Sequence, residues 1–372
     1  MSFYDILKRY PDADMRAALE NISDSDVERA LQKERPGERD FLALLSDRAD
    51  AYLEAIAQKA HELTLRNFGR VIHLYAPLYL SNFCDNECVY CGFKHSNPIL
   101  RKKLSAAEVE QEAKVIAGSG ILHVLLLTGE SHKETPPDYI RQCLGILRQY
   151  FSPPWIETYP LDTEGYVGLV DEGADGLTIY QETYDEELYE KLHQRGFKRN
   201  FRFRLDAPER ACQAWMRSVS IGALLGLSDF RKDVFFTGLH ALYLQNRYPG
   251  VEIGVSFPRI QPQVGNFSPE NPVNDREIVR AMLAVRLFMP RAGINISTRE
   301  RGDFRRNLIG LGVTRMSAGS RTEVGGYALS VKTEGQFDVA DTSGVDEIKE
   351  MISLRGYQPV MKDWQGWGIG TE

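Results

Sequence analysis

Cysteine is scarce in this chain, with five residues in 372. That is too few for a disulfide framework and fits a reducing cytosol. Long apolar runs are missing as well. None reaches the length of a membrane span. The opening Met1-Ser2-Phe3-Tyr4-Asp5 lacks the charged stretch followed by an apolar one that marks a secretory signal. Neither sign of charge dominates: the formal net charge is −7, and acidic and basic residues are interspersed. No basic stripe with interleaved aromatics points to nucleic acid. Short-period repeats and low-complexity tracts are also absent. What remains is a chain long enough to bury a substantial core, as one large α/β barrel or as two domains.

Three of the five cysteines stand together in Cys84-Asp85-Asn86-Glu87-Cys88-Val89-Tyr90-Cys91-Gly92-Phe93. Their spacing is C-x3-C-x2-C, directly after an apolar run, Val71 to Leu80, that reads as a buried strand. Three close thiolates suit zinc or an iron–sulfur cluster. A structural zinc would take a fourth ligand, and a four-iron cluster would normally take a fourth cysteine. No fourth cysteine follows at a regular spacing, and a metal position left open is a place for chemistry. His95, four residues past Cys91, would complete a Cys3His zinc loop on ligand types alone. Its neighbours Lys94, Ser96, Asn97 and Pro98 read as a solvated loop.

Residues 1 to about 70 read as helical. Ser23-Asp24-Ser25-Asp26 is a helix start with acidic residues at its positive end. From about Arg48 to Asn67 the apolar residues fall mostly on one face, and Gly69 is placed to end the helix. From Val71 the pattern changes. Strands are predicted at Val71–Leu80, Ile121–Leu127, Trp155–Thr158, Gly176–Tyr180, Ser218–Ala223, Val251–Phe257, Gly293–Ser297 and Val313–Ala318, with helical stretches between them. Eight βα units predict a closed parallel barrel over 71–330, with its active site at the carboxyl ends of the strands. A short carboxyl-terminal segment, 331–372, would pack on the barrel.

The polar motifs all fall at strand ends. Thr128-Gly129-Glu130 offers a backbone that a ligand can approach and a carboxylate that can accept from an ammonium. Glu182, in Tyr180-Gln181-Glu182-Thr183, reads equally as a helix cap or a ligand contact. In Phe201-Arg202-Phe203-Arg204 the alternation sets the arginines on one face, where Arg204 could fork onto a carboxylate and Arg202 could equally be a surface ion pair. Ile221 to Gly226 is a glycine-bearing strand exit with no G-x-G-x-x-G and hence no nicotinamide site. Arg259 could hold a substrate or a loop. Arg315-Met316-Ser317-Ala318-Gly319-Ser320-Arg321-Thr322 combines hydroxyls with an arginine and suits an anion; a phosphate site is the competing use of such loops.

With its aromatic before the last cysteine and Gly92-Phe93 after it, the cysteine stretch resembles the radical S-adenosylmethionine (SAM) superfamily. The Ser317 to Thr322 stretch is similar to that of its aromatic amino acid lyases, above all the tyrosine lyases of thiamine thiazole biosynthesis. The resemblance covers essentially the whole chain. It implies a (β/α)8 TIM-type barrel with a [4Fe–4S] cluster on Cys84, Cys88 and Cys91, and SAM held by Gly129, Glu130, Glu182 and Arg204. Thr128 replaces the first glycine of the family's Gly-Gly-Glu turn.

The implied reaction begins with reductive cleavage of SAM to a 5′-deoxyadenosyl radical. The radical removes hydrogen from the amino group of L-tyrosine, and the Cα–Cβ bond breaks to 2-iminoacetate and p-cresol. Arg321 and Ser317 would grip the tyrosine carboxylate, and Tyr90 would lie near its amino group. Implied partners are a thiazole synthase subunit and an electron donor such as flavodoxin or ferredoxin, in the cytoplasm. No cysteine follows Cys212, so the second cluster of the hydrogenase-maturing tyrosine lyase is not expected; Cys143 and Cys212 read as core. The competing readings are a tryptophan lyase or other radical SAM enzyme, a non-catalytic metal-binding module, and a phosphate-binding barrel.

Overall fold

The computed structural model of the chain describes residues 2–265, 267–329 and 333–363. Eight parallel strands close into a barrel. They are β1 (Val71–Ser81), β2 (Val124–Thr128), β3 (Trp155–Glu157), β4 (Gly176–Glu182), β5 (Ser218–Ala223), β6 (Glu252–Ser256), β7 (Gly293–Ile296) and β8 (Arg315–Ser317). Each strand pairs with the next, and β1 closes the ring by pairing with both β2 and β8. Helices lie in the connections, so the strands are covered outside as well as inside, and near-continuous apolar runs such as Leu74 to Leu80 are buried on both faces. The expected (β/α)8 barrel is the observed fold.

A ninth strand, β9 (Gln358–Val360), runs parallel to β1 at Val71–His73. His73 pairs with β8 on one edge and β9 on the other, so β9 shares the edge that β2 occupies further along. Helix Val345–Leu354 leads into β9, and the buried Arg305 guanidinium pairs with Asp341 just before that helix. Of the expected carboxyl-terminal segment, residues 331, 332 and 364–372 lie outside the described residues.

The amino-terminal stretch is helical, in the segments Phe3–Leu7, Asp12–Glu20, Asp24–Gln32, Glu38–Leu45 and Leu53–Phe68. Ser23 and Asp26 form a reciprocal capping box at the third. The single helix predicted from Arg48 begins instead as a 3-10 turn, Asp47–Tyr52. There Asp47 and Asp50 reach 3.1 and 3.2 Å from the buried Arg280 guanidinium, a tertiary pull that no local pattern encodes. Phe41 stacks on Phe288 at 4.3 Å between ring centres and fills the notch left by Gly238, where a Cβ would lie 2.4 Å from the Phe41 ring.

The predicted alternation at Phe201–Arg204 is corrected: Phe201–Leu205 is a helix. The Asn200 side chain accepts from the Phe203 N–H and starts it, so Arg202 and Arg204 do not share a strand face. Arg204 is buried, whereas Arg202 lies outside over the Tyr4 ring. Among the described residues no helix is long and apolar enough to cross a membrane.

Candidate active site at the barrel mouth

The carboxyl ends of the strands surround a cavity. Its floor and walls include Tyr75, Pro77 and Tyr79 of β1, Leu125 and Leu127 of β2, Glu157 of β3, Tyr180 and Glu182 of β4, and Ser317 of β8. Cys91 and Tyr90 form one side; Ser297, Arg299, Ser320, Thr322, Gln336 and Phe337 form another.

The cysteine loop leaves β1 and is tied down at several points. The Arg101 guanidinium donates to the carbonyls of Asn82 at 2.6 Å, Phe93 at 2.9 Å and Lys94 at 2.6 Å. Asn97 donates to Gly92, and the Gly92 N–H donates to the Gln336 carbonyl. On the other flank Val89 N–H donates to Leu192 and Glu87 N–H to Arg195. These bonds satisfy the backbone of an irregular, half-buried segment, which would otherwise carry orphaned polar groups.

Gly129 is required by close approach. A Cβ there would sit 2.3 Å from the Phe83 carbonyl oxygen and 3.3 Å from the Cys84 Cβ. Glu130 is buried beside it, its Oε2 accepting from Asn86 at 2.7 Å and its carbonyl from the Asp85 N–H at 2.9 Å. Both residues therefore brace the cysteine loop.

The donor set fits an iron–sulfur cluster. Cys84, Cys88 and Cys91 are free thiols, Cys88 buried and the other two half-buried. Burial and the neighbouring Cys91 push the Cys84 thiol up to about 11. Burial likewise pushes Cys88 far up, with Cys91 and Cys84 adding to it. Thiols raised in this way give up their protons only to a cationic centre. His95 does not join them; its Nδ1 sits 3.3 Å from the Cys84 carbonyl oxygen. Among the described residues no three His, Cys, Asp or Glu side chains gather as a single-ion site would require.

Glu182 holds a left-handed backbone at φ 72, a conformation costly for a residue with a Cβ. Its Oε1 accepts from Lys198 Nζ at 2.6 Å and Arg204 Nη2 at 3.3 Å. Burial pushes this carboxyl up, but the two cations outweigh it and hold it below the ordinary range. Arg204 also donates from Nε to the Tyr180 carbonyl at 2.6 Å. Its fork is thus spent within the protein.

Tyr90 bonds to His193 Nε2 at 2.7 Å, and His193 Nδ1 lies 2.7 Å from the Tyr189 carbonyl. A carbonyl only accepts, so the Nδ1 carries the proton and the Tyr90 hydroxyl donates to Nε2. Burial drives the His193 pKa down to about 3 and keeps the ring neutral.

The expected carboxylate grip is only partly assembled. Ser317 and Ser320 face the cavity; Ser317 Oγ accepts from the Thr298 N–H at 3.0 Å, and Ser320 Oγ is buried without a partner among the described residues. Arg321 is exposed and does not line the cavity. Gly319, at φ 58, turns the chain there. The guanidinium on this side comes instead from Arg299, just past β7, which lies over the Phe337 ring. Arg259 holds a loop, pairing with Glu300 and, at 2.8 Å, Asp275. Cys143 and Cys212 are buried in helices, as expected.

Sequence reasoning missed Glu157, Arg299, Lys198, His193 and the clamp Arg101. Glu157 and Arg299 could have been found as charged residues at the ends of predicted apolar strands. Lys198 lies in a one-turn 3-10 helix, Phe197–Arg199, and His193 and Arg101 lie in irregular chain; none carries a local signal.

Two family models match the chain: the Radical SAM superfamily over residues 78–235, and the Biotin and Thiamin Synthesis associated domain over 256–358. The chain is 39% identical to the 2-iminoacetate synthase of Salmonella typhimurium strain LT2, over 95% of this chain and 94% of that one. Identity to the enzyme of the same name from Escherichia coli K12 is also 39%, with the same coverage. The structure resembles the FeFe-hydrogenase maturase HydG from Carboxydothermus hydrogenoformans, with a TM-score of 0.84 and 31% identity over 96% of this chain and 82% of that one. Near-complete coverage at this identity, on a barrel whose first loop carries three cysteines and brings Cys91 to its mouth, places the chain in the 2-iminoacetate synthase family of radical SAM enzymes, which use a [4Fe–4S] cluster and SAM.

Proposed function

We propose that the chain cleaves L-tyrosine between Cα and Cβ, giving 2-iminoacetate and p-cresol for thiamine thiazole synthesis. The observation that carries this reading is the end-to-end similarity to 2-iminoacetate synthases, joined to a cavity that sets Cys91 and a hydroxyl-and-guanidinium cradle around one space. Cys84, Cys88 and Cys91 would hold the cluster. When bound, cluster and SAM together supply a 5′-deoxyadenosyl radical.

The chain's own residues do the positioning. Arg299 and the hydroxyls of Ser317 and Ser320 grip the tyrosine carboxylate, with Arg299 in the place expected of Arg321. Tyr90 keeps its oxygen lone pairs free, because its proton is committed to His193, and so can accept from the substrate amine. Glu130, with Gly129 beside it, holds the loop that aims the sulfurs, while Glu182, locked by Lys198 and Arg204, presents a fixed negative charge to SAM. Orientation selects which hydrogen is taken, and the enclosed mouth limits water at the imine. The cresol fragment leaves as a radical and needs one electron, supplied through a flavodoxin or ferredoxin, and one proton from solvent. The imine hydrolyses in water, so a thiazole synthase subunit that consumes it is the fitting partner, in the cytoplasm.

The test is anaerobic incubation of the reconstituted chain with SAM, reductant and tyrosine. p-Cresol and 5′-deoxyadenosine are expected together. SAM cleavage without p-cresol, or an indole product from tryptophan in its place, would overturn the assignment.

A further inference from the structure

Two carboxylates line the cavity, Glu157 and Glu182, and their surroundings differ. Glu182 is locked in place by Lys198 and Arg204. The Glu157 carboxylate, at the carboxyl end of β3, has no hydrogen-bond or salt-bridge partner among the described residues, and it lines the space where substrate must lie. From β1 it is faced by Tyr75 and Tyr79, and from β4 by Tyr180. Arg299, Glu182, Arg204 and Lys198 act on it through space. The β2 residues beside it, Leu125 and Leu127, are apolar. Burial and Glu182 raise its carboxyl, opposed by Arg299 and the other two cations, to about 7. Two carboxylates pushed apart in this way are the mark of divided duties in one site.

The geometry matches an α-amino acid. Its carboxylate and ammonium are one carbon apart, and the cavity offers a guanidinium, Arg299, as the charge neighbour of an uncommitted carboxylate, Glu157. An ammonium is a poor source of a hydrogen atom, whereas a neutral amine is a good one. We propose that Glu157 is the general base that takes a proton from the bound tyrosine ammonium, leaving the amine from which hydrogen is then removed. One N–H bond breaks, one O–H bond forms on the Glu157 carboxylate, and no electron moves. The inference rests on the tyrosine-lyase reading and adds to it a residue and a step.

The test compares the full cluster-loaded chain with Glu157→Gln and Glu157→Asp. In the unchanged chain p-cresol formation should rise as pH climbs through about 7, where Glu157 becomes able to accept. Glu157→Gln should lose about a hundredfold in kcat at neutral pH and regain much of it at high pH, where tyrosine arrives already deprotonated. Glu157→Asp should keep a rising profile. Iron content should be the same in all three. Without reductant, so without turnover, infrared difference spectra on adding tyrosine should show a protonated carboxyl in the unchanged chain and none in Glu157→Gln.

A Gln variant with an unaltered pH profile overturns the proposal. So does a loss that saturating tyrosine or SAM restores, since that would mark a binding role only. If the unchanged chain makes no p-cresol while cleaving SAM, the function reading itself has failed, and the proposal falls with it.

Discussion

Arg299 and Arg321 follow consecutive strands, yet only Arg299 lines the cavity. A guanidinium fork on a carboxylate contributes about 1.5–3 kcal/mol. Arg299→Ala should therefore lower kcat/KM for tyrosine by roughly ten- to a hundredfold and raise the share of SAM cleaved without p-cresol. Arg321→Ala should leave both close to the unchanged chain; a coupling ratio measured for the two variants separates them. The expectation at Arg321 comes from the resemblance of the Ser317 to Thr322 stretch to that of the aromatic amino acid lyases, on a run that combines hydroxyls with an arginine. What the sequence could not display is the left-handed turn at Gly319, which sends Ser320 and Thr322 inward and Arg321 out. Arg101 illustrates the opposite case. It sits in a plain basic stretch, Arg101-Lys102-Lys103, and only folding brings five loop carbonyls within reach. Arg101→Ala should free the cysteine loop and lower the iron retained per chain after desalting, with the barrel's far-ultraviolet circular dichroism unchanged.

At the scale of elements, the strands were legible because a doubly covered barrel strand must be apolar along its length. The strand predicted at Ser218–Ala223 has the observed ends, and the others agree to within a few residues. Helices with strong local caps, such as the one begun by Ser23, were legible for the same kind of reason. Where tertiary contacts chose the conformation, reading failed: the 3-10 turn at Asp47 answers to Arg280, and the short helix at Phe201 answers to the Asn200 cap. The amino-terminal helices are attached through Phe41, whose ring meets Gly238 and Phe288 from two other helices. Phe41→Ala should cost about 3–5 kcal/mol by opening a cavity, read as a lower urea midpoint. Gly238→Ala should also destabilise, because its methyl would claim the space of the ring.

For the molecule as a whole, buried histidines set the acid limit. Burial drives His123, His193 and His240 each down to about 3, while an unfolded histidine titrates near its ordinary value of 6.5. Their neutral folded form is therefore fully favourable above that value. As pH falls below it, each costs about 1.4 kcal/mol per pH unit, because the unfolded chain gains a proton that the folded chain refuses. Glu157, raised to about 7, and Asp233, raised to about 6, work in the other direction, binding protons preferentially in the fold. That opposition ends once unfolded carboxyls also protonate. Urea midpoints should thus decline gently from neutral pH and steeply below about pH 4.

β1 bonds to β8, β2 and β9, and the cysteine loop grows from its end. A strand gripped along both edges has no free side from which to peel. Its amides should be among the slowest in the molecule to trade hydrogen for deuterium, and the sulfurs it carries should stay gathered through every partial opening short of global unfolding.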